Sequence, residues 1–266
     1  MIDLHCHLLP GIDDGAKDLE TALEMARIAW QDGIQLIACT PHIYPGLYPN
    51  DAQRIRVAVE SLGQQLKAAQ IPLTLTYGAD IQVDPELVAA LQQGTRPSLH
   101  GSRYFLYEPP HHIAPSYFLD SLFDCLAGGY VPIITHPERL TWLDESHYVW
   151  FQEAVEQGAW IQVTAGALTG RFGRRPRYWG ERLLGEGLVH LLATDAHNLS
   201  RRPPLLAEGR EAAARLVGEE EARQLVCTRP QAVLDDLPPT QIHPPTGASL
   251  PPEEPKKPWF KRWFQG

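Results

Sequence analysis

The sequence predicts an α/β protein with a parallel sheet, and its length and regularity favour a closed (β/α) barrel. Seven apolar segments of strand length alternate with segments of helical period along residues 1–237. The strand candidates are apolar at successive positions, which is typical of parallel strands covered by helices on both faces. A length of 266 residues suits one such barrel. A doubly wound open sheet is the alternative, but no G-x-G-x-x-G motif follows the first strand.

The seven predicted strands are short runs rich in Ile, Leu, Val, Thr or aromatic residues, at 2–5, 35–40, 73–79, 104–108, 131–135, 160–164 and 189–194. Between them, apolar residues recur with helical spacing. The first helix follows Asp18, which we predict as its N-cap. The predicted helices are residues 19–32, 51–69, 115–127, 147–157, 177–185, 205–216 and 219–226.

Composition excludes several classes of protein. The net charge of −9 is unfavourable for general nucleic-acid binding, which needs a basic face. We find no apolar run of membrane-spanning length and no signal-peptide pattern at the N-terminus, so we expect a cytoplasmic protein. The four cysteines form no C-x-x-C pair, and none is followed six residues later by Arg, as a cysteine-based phosphatase would require.

The composition changes at Pro238. Eight of the 24 prolines fall within residues 238–266, so we expect a disordered or polyproline-like linker there and a domain boundary at 237. This tail carries a net charge of +2, whereas residues 1–237 carry −11. Near its end, two aromatic pairs alternate with Lys and Arg: Trp259, Phe260, Trp263 and Phe264. Such a segment fits an anionic membrane surface or a partner protein, and an idle tail is the alternative.

Metal-ligating side chains follow six of the seven predicted strands. They are His5 and His7, His42, Asp80, Glu108, His136, and Asp195 with His197, and Asp14 lies in the first loop. The C-terminal strand ends of an α/β barrel converge on one mouth, where catalytic residues lie. A single histidine at a strand end is usually only hydrogen-bonded, but six such ends indicate a shared site. Carboxylates gathered there are costly unless cations neutralise them.

The ligand set is too large for one ion, so two or three ions are expected. Histidine and carboxylate ligands without thiolate suit Mn²⁺, Fe or Zn²⁺. Closely spaced metals lower the pKa of a bridging water, so a metal-bridging hydroxide is the expected nucleophile, and Glu108 is the best candidate for a carboxylate that bridges two of the metals.

These motifs resemble the PHP (polymerase and histidinol phosphatase) superfamily, through H-x-H at 5–7, D-D-G at 13–15, His42, His136 and D-x-H at 195–197. The longer segments MIDLHCHLLPGIDDGAK, SRYFLYE, ITHPER and TDAHNLSRRPP, with G-A-D at 78–80, resemble the metal-dependent bacterial protein-tyrosine phosphatases of CpsB/CapC/YwqE type from capsule and exopolysaccharide loci. The resemblance spans residues 1–237 and omits the tail.

The resemblance implies a distorted seven-stranded PHP barrel of the TIM-barrel-like kind, with a trinuclear site generally used with Mn²⁺. It matches His5, His7, Asp14, His42, Glu108, His136, Asp195 and His197 to ligand positions. Asp80 also matches one, but the family usually has Glu there, and Asp reaches about 1.3–1.5 Å less far. This puts the third metal, or its spacing, in question.

Two arginines, Arg139 and Arg202, match the residues expected to hold the substrate phosphate. Asp195 or His197 could protonate the leaving phenolate. Arg171, His111 and His112 are secondary candidates for substrate contact, with ordinary loop packing as the alternative. We expect no special role for the remaining histidines, His100, His147, His190 and His243.

The expected activity is metal-dependent hydrolysis of phosphotyrosine in proteins. The expected substrate is an autophosphorylated, membrane-bound tyrosine kinase of capsule or exopolysaccharide synthesis, near which the tail would hold the enzyme. One alternative is a PHP phosphoesterase acting on a small molecule such as histidinol phosphate, and a nucleic-acid substrate is disfavoured by charge. Another is a non-catalytic, kinase-regulating binding module.

Overall fold

The computed structural model describes residues 1–248, which form an α/β fold with parallel sheets. Its strands in this range are β1 Ile2–Cys6, β2 Leu36–Cys39, β3 His42–Ile43, β4 Thr74–Tyr77, β5 Asp80–Gln82, β6 Tyr104–Glu108, β7 Val131–Thr135, β8 Trp160–Thr164 and β9 Leu191–Ala193. Its α-helices are α1 Leu19–Gln31, α2 Ala52–Ala68, α3 Leu87–Gln92, α4 Phe118–Ala127, α5 Glu145–Gln157, α6 Ala165–Leu168, α7 Arg174–Gly185, α8 Ala207–Val217, α9 Glu219–Arg223 and α10 Arg229–Leu234.

The strands form two parallel sheets, ordered β1-β2-β4 and β3-β5-β6-β7-β8-β9. Short interruptions separate β2 from β3 and β4 from β5, yet the two interrupted segments remain hydrogen-bonded to each other. Gly78 N donates to Cys39 O at 3.0 Å, and Asp80 N donates to Pro41 O at 3.2 Å. The last strand also meets the first, since Asp195 N donates to His5 O at 2.8 Å. The carboxyl ends of both sheets therefore lie together.

The core is divided between the two faces of the strands, because successive side chains of a strand point to opposite sides. A large cluster packs the strands against the helices and includes Ile37, Ile134 and Ile161. A smaller cluster takes the neighbouring positions of the same strands, such as Ala38 and Ile133. These two layers hold the strands in register, and the strand ends carry polar groups beyond them.

The structure departs from the sequence predictions at several elements. The predicted strands 35–40 and 73–79 each end early and are followed by a second short strand, so Asp80 lies within β5 instead of after a strand. Helices α3, α6 and α10 were not predicted. The predicted helix 219–226 is α-helical only to Arg223 and continues as a π-helical turn over Gln224–Thr228. That turn leads directly into α10.

Beyond Pro238 the described chain stays against the body. The Arg229 guanidinium, fully buried, donates to His243 O at 2.9 Å and to Pro244 O at 3.0 Å. It also pairs with Glu221 at 2.7 Å. Ala248 N donates to Gly185 O at 2.8 Å. We call residues 243–248 the strap; Trp259, Phe260, Trp263 and Phe264 lie outside the described residues.

Candidate metal centre

The nine predicted ligands lie together at the carboxyl ends of the strands. Each contributes a nitrogen or oxygen to at least one of four overlapping groups, within which the ligating atoms lie within 4.8 Å of one another. The groups are His7, Asp14, His42, His197; His5, His7, Asp80; His5, His136, Asp195; and His42, Asp80, Glu108. Shared members make the four groups one continuous cluster, as a site for several ions requires.

The buried half of the cluster centres on two carboxylates. Asp195 Oδ1 lies 3.3 Å from the Nε2 atoms of both His5 and His7. Asp80 Oδ2 lies 3.4 Å from His5 Nε2 and 3.4 Å from His42 Nδ1. Although aspartate is shorter than the expected glutamate, β5 brings Asp80 within this distance of both rings. Each carboxylate thus stands between ligands of two different groups.

The outer half of the cluster faces solvent. Asp14 Oδ1 lies 3.5 Å from His42 Nε2 and 3.5 Å from His197 Nε2, and the Asp14 side chain is 49% exposed. Glu108 spans two rings, with Oε2 at 3.3 Å from His42 Nδ1 and Oε1 at 4.0 Å from His136 Nε2. The solvent-facing side of the cluster is therefore the side of Asp14, His42 and Glu108.

Unpaired polar atoms in the cluster fit bound cations. Six buried atoms of the ligand set lack a hydrogen-bond partner: both carboxylate oxygens of Asp80, Asp195 Oδ1, His42 Nδ1, His136 Nδ1 and His197 Nε2. Leaving such groups buried and unpaired costs about 1–3 kcal/mol each, and more when they are charged. A divalent cation would satisfy several of them at once, and their donors are the imidazole and carboxylate types that Mn²⁺, Fe and Zn²⁺ accept.

The carboxylates of the cluster raise the pKa values of two ligating histidines. Burial opposes a charged imidazolium, yet Asp195 and Asp80 raise the pKa of His5 to about 9. Burial likewise opposes charge on His42, but Glu108 and Asp80 raise its pKa to about 10. The carboxylates therefore favour positive charge at these rings, which is the charge that a bound cation would supply.

Neighbouring groups orient two of the ligating histidines. Asp13 Oδ2 lies 2.7 Å from His7 Nδ1, and Gln162 Oε1 lies 2.9 Å from His5 Nδ1. These contacts assign the proton to Nδ1 and leave each Nε2 free for a ligand. Asp13 and Gln162 were missed by sequence reasoning. A polar residue inside the apolar segment 160–164, and the adjacent acids at 13–14, were the available signals.

Two ligands lie on strained backbone. His136 has φ 37° and Asp195 has φ 49°, a left-handed conformation that non-glycine residues seldom adopt. Each lies just after its strand, where the chain must turn sharply to aim the side chain at the cluster. Strain of this kind costs about 1–3 kcal/mol and is characteristic of functional sites.

The two predicted phosphate-binding arginines meet at the edge of the cluster. Arg139 Nη1 and Arg202 Nη2 both donate to Asp195 Oδ2, and Arg202 Nε donates to Asp195 O at 3.2 Å. The Arg139 guanidinium also lies over the Phe172 ring, 4.7 Å from its centroid. With side chains 14% and 21% exposed, both can reach an anion at the mouth.

The secondary candidates are placed differently. Arg171 pairs with Glu208 at 2.5 Å on the surface. The His111 ring lies 6.4 Å from that of His136, at the edge of the mouth, and His112 is exposed. The other histidines have contacts away from the cluster: His100 with Thr76, His147 with Asp144, His190 with Trp160, and His243 with Arg229.

Comparison with known proteins gives consistent matches. A family model described as "Capsular polysaccharide synthesis, CpsB/CapC" matches residues 1–235. The tyrosine-protein phosphatase YwqE of Bacillus subtilis is 38% identical over 202 residues, which are 76% of this chain and 79% of YwqE. The tyrosine-protein phosphatase CpsB of Streptococcus pneumoniae is 26% identical over 246 residues, covering 89% of this chain and 99% of CpsB.

Solved structures agree with these matches. A chain from the crystal structures of YwqE from Bacillus subtilis and CpsB from Streptococcus pneumoniae, described as metal-dependent tyrosine phosphatases, has a TM-score of 0.84. It is 32% identical, and the match covers 94% of this chain and 100% of that chain. A lactonase from Listeria monocytogenes matches with a TM-score of 0.55 at 11% identity, covering 88% and 94% of the two chains. At that identity, the second match shows a shared fold only.

Proposed function

The chain belongs to the CpsB/CapC family of capsular polysaccharide synthesis proteins, and we propose that it is a metal-dependent tyrosine-protein phosphatase. The observation that carries this proposal is a nine-residue cluster with unpaired buried donor atoms, beside two converging arginines. The cluster suits cations, and the two arginines suit a phosphoryl dianion. The relatives named tyrosine-protein phosphatases supply the substrate class.

The proposed metal is Mn²⁺, with two or three ions held by His5, His7, Asp14, His42, Asp80, Glu108, His136, Asp195 and His197. Fe and Zn²⁺ are chemically acceptable to the same donors. When bound, such ions lower the pKa of water and neutralise charge on a phosphoryl group. Asp80 belongs to two of the four groups, and Glu108, the carboxylate proposed to be shared between ions, has its two oxygens near His42 and His136.

Arg139 and Arg202 act on the substrate in this proposal. Both bond to Asp195 Oδ2, and Asp195 is itself a metal ligand. A phosphoryl group that enters the mouth offers them stronger, bidentate partners. Phe172 supports the Arg139 guanidinium from one face, which limits the orientations it can take. Asp195 and His197 are the predicted proton donors to the leaving phenolate, but neither holds a proton near neutral pH. Although burial opposes its charge, Arg202 and His5 keep the pKa of Asp195 well below its usual range, and burial lowers the pKa of His197 to about 4.

A cysteine nucleophile does not fit this chain. Cys6, Cys39 and Cys125 are buried, and burial raises the pKa of each thiol; Cys227 is partly exposed, but Val233 and not Arg follows it six residues later. A raised pKa disfavours the thiolate, which is the reactive form. Direct hydrolysis, without a covalent phosphoenzyme, is therefore the proposed route.

The proposed architecture is one distorted barrel of seven strands. In support, β2 with β3 and β4 with β5 occupy continuous stretches of chain that share the same neighbours. Backbone hydrogen bonds between His5 and Asp195 and between His7 and Ala196 join the last strand to the first. Counting each interrupted pair as one bent strand gives seven. We retain 1–237 as the catalytic domain, with the strap lying against it.

We propose that the substrate is a membrane-bound tyrosine kinase of capsule or exopolysaccharide synthesis, and that the enzyme works in the cytoplasm near the membrane. The strap supports a compatible geometry. It bonds beside the start of β9, at Gly185 and Arg229, whereas Asp195 and His197 follow the end of β9. The described end of the strap therefore lies beside the opposite end of β9 from the metal centre. In residues 1–248 no helix is long and apolar enough to cross a bilayer.

The substrate class is tested by measuring phosphate release by Mn²⁺-loaded protein from a phosphotyrosine peptide and from histidinol phosphate. We expect a much higher kcat/KM for the peptide. Higher kcat/KM for histidinol phosphate would favour the small-molecule alternative. Absence of turnover of both, together with binding to a tyrosine kinase, would favour the non-catalytic alternative.

A further inference from the structure

A short hairpin stands at the exposed side of the metal centre, directly after the ligand His42. Tyr44 and Tyr48 pair across it, with Tyr44 N donating to Tyr48 O at 3.1 Å and Tyr48 N to Tyr44 O at 2.9 Å. Gly46 at its tip has φ 82°, a conformation that glycine adopts without strain. The hairpin is thus a defined turn of the chain.

The base of this hairpin is fixed to the loops that carry two ligands. The buried side chain of Asn50 donates through Nδ2 to His42 O at 2.9 Å and to Ile12 O at 3.0 Å. Ile12 lies two residues before Asp14, so one amide group ties the hairpin to the loops of both outer ligands. The base of the hairpin is therefore hydrogen-bonded to the loops that carry Asp14 and His42.

Within the hairpin, Tyr48 faces the cluster. Its ring is stacked on the His42 imidazole, with centroids 5.8 Å apart and planes at 14°. The ring is half-buried, and burial together with the charges of Asp14 and Asp13 raises the pKa of its hydroxyl. Tyr48 consequently stands beside the ligands that face solvent, on the route that a substrate takes.

We propose that Tyr48 forms the wall against which the aromatic ring of the phosphotyrosyl side chain lies, and that it makes the site prefer aryl over alkyl phosphates. This inference rests on the proposed phosphatase function. The metal ligands and both arginines act on the phosphoryl group, which is the same in every phosphate monoester. Discrimination must therefore come from residues at the rim, and aromatic rings attract one another in offset or edge-to-face geometry.

The test compares phenylphosphonate, which carries a ring on phosphorus, with inorganic phosphate, which carries a hydroxyl in its place. Inorganic phosphate and phenylphosphonate are titrated calorimetrically into the full-length, Mn²⁺-loaded protein, so that no turnover is needed. In Tyr48→Leu, which removes the ring and keeps an apolar side chain, we expect phenylphosphonate to bind about 3- to 10-fold more weakly. Phosphate affinity should not change. Tyr48→Phe keeps the ring and should bind both ligands as the natural protein does.

Tyr44→Leu is the matched control, because Tyr44 lies on the same hairpin, is 38% exposed and pairs with Tyr48 only through the backbone. It should leave both affinities unchanged. Metal content, measured for every variant, verifies that the ligand set is intact. Equal weakening of both ligands in Tyr48→Leu, or no weakening of phenylphosphonate, would overturn the inference. Failure of the natural protein to hydrolyse a phosphotyrosine peptide would instead overturn the proposed function.

Discussion

Replacing Asp13 by Asn tests whether this carboxylate orients the metal ligands. Asp13 Oδ2 accepts from His7 Nδ1 at 2.7 Å and from His42 N at 3.1 Å, and Oδ1 accepts from Gly15 N at 2.9 Å. All three partners are donors when His7 presents Nε2 to a metal. Asparagine offers one acceptor and one donor group. In either orientation, at least one of the three N–H groups would then face another N–H.

The magnitude follows from that lost contact. A buried hydrogen-bonding group left unsatisfied costs about 1–3 kcal/mol. Loss of a group that orients a metal-ligating histidine typically lowers metal affinity by about 10- to 100-fold, or about 1.4–2.7 kcal/mol. The two ranges agree, so we expect the dissociation constant for Mn²⁺ to rise by about 10- to 100-fold in Asp13→Asn.

Calorimetric titration of Mn²⁺ into metal-free protein measures this change directly. Asp18→Asn is the control, since Asp18 caps α1 by accepting from Thr21 N at 2.8 Å, and Asn caps helices equally well. The control should bind Mn²⁺ normally. Unchanged affinity in Asp13→Asn, or the same loss in both variants, would refute the orienting role.

Three further predictions concern other parts of the molecule. Arg202→Lys should lower kcat/KM for a phosphotyrosine peptide by about 10- to 150-fold, since a charge-assisted hydrogen bond contributes about 1.5–3 kcal/mol. Arg201→Lys, a change at the neighbouring exposed arginine, should leave kcat/KM unchanged. Equal losses of kcat/KM in the two variants would contradict the assignment of Arg202 to phosphate binding. Burial and the nearby Arg229 lower the pKa of His190 to about 3, below its unfolded value of about 6.5, so His190 stabilises the fold above pH 6.5 and this stability is lost as the pH falls. In urea unfolding, the free energy of unfolding should be lower at pH 5 than at pH 7, and His190→Asn should make this difference smaller. An equal difference in the variant and the natural protein would contradict the prediction. Arg229→Met should destabilise the protein by about 3–5 kcal/mol because it leaves Glu221 buried and unpaired, and the double variant with Glu221→Leu should recover part of the loss. A double variant as unstable as Arg229→Met in urea would count against the ion pair.

The alternation of strands and helices could be predicted from the sequence because strands that are buried on both faces have a simple apolar pattern. The interruptions between β2 and β3 and between β4 and β5 could not be predicted. Both occur where a strand bends to bring a ligand into the cluster, at Thr40–Pro41 and Gly78–Ala79, and the bend depends on neighbouring strands. An apolar pattern depends on residues that are near one another in sequence, whereas this bending depends on contacts between strands.

The ligand types could be recognised from the sequence because six strand ends carried the same chemistry. The groups that orient the ligands could not. Asp13 contacts His7 Nδ1, whereas Asp14 lies near the Nε2 atoms of His42 and His197, and this division depends on the turn at Gly15, where an added Cβ would lie 2.2 Å from His7 O. Tyr48 was missed for a similar reason, since only the folded hairpin places it over His42. The strap was not predicted, because a high proline content indicates only that a segment forms no packed core. It does not reveal that the buried Arg229 guanidinium donates to the carbonyls of His243 and Pro244.

The central claim is that the nine-residue cluster hydrolyses phosphotyrosine only with its metals bound. The most direct measurement is phosphate release from a phosphotyrosine peptide by one protein sample, first after chelation and then after addition of Mn²⁺, with the metal content determined at each stage. We expect no release from the stripped protein and restored release with Mn²⁺. Undiminished release from protein shown to be free of metal would contradict it.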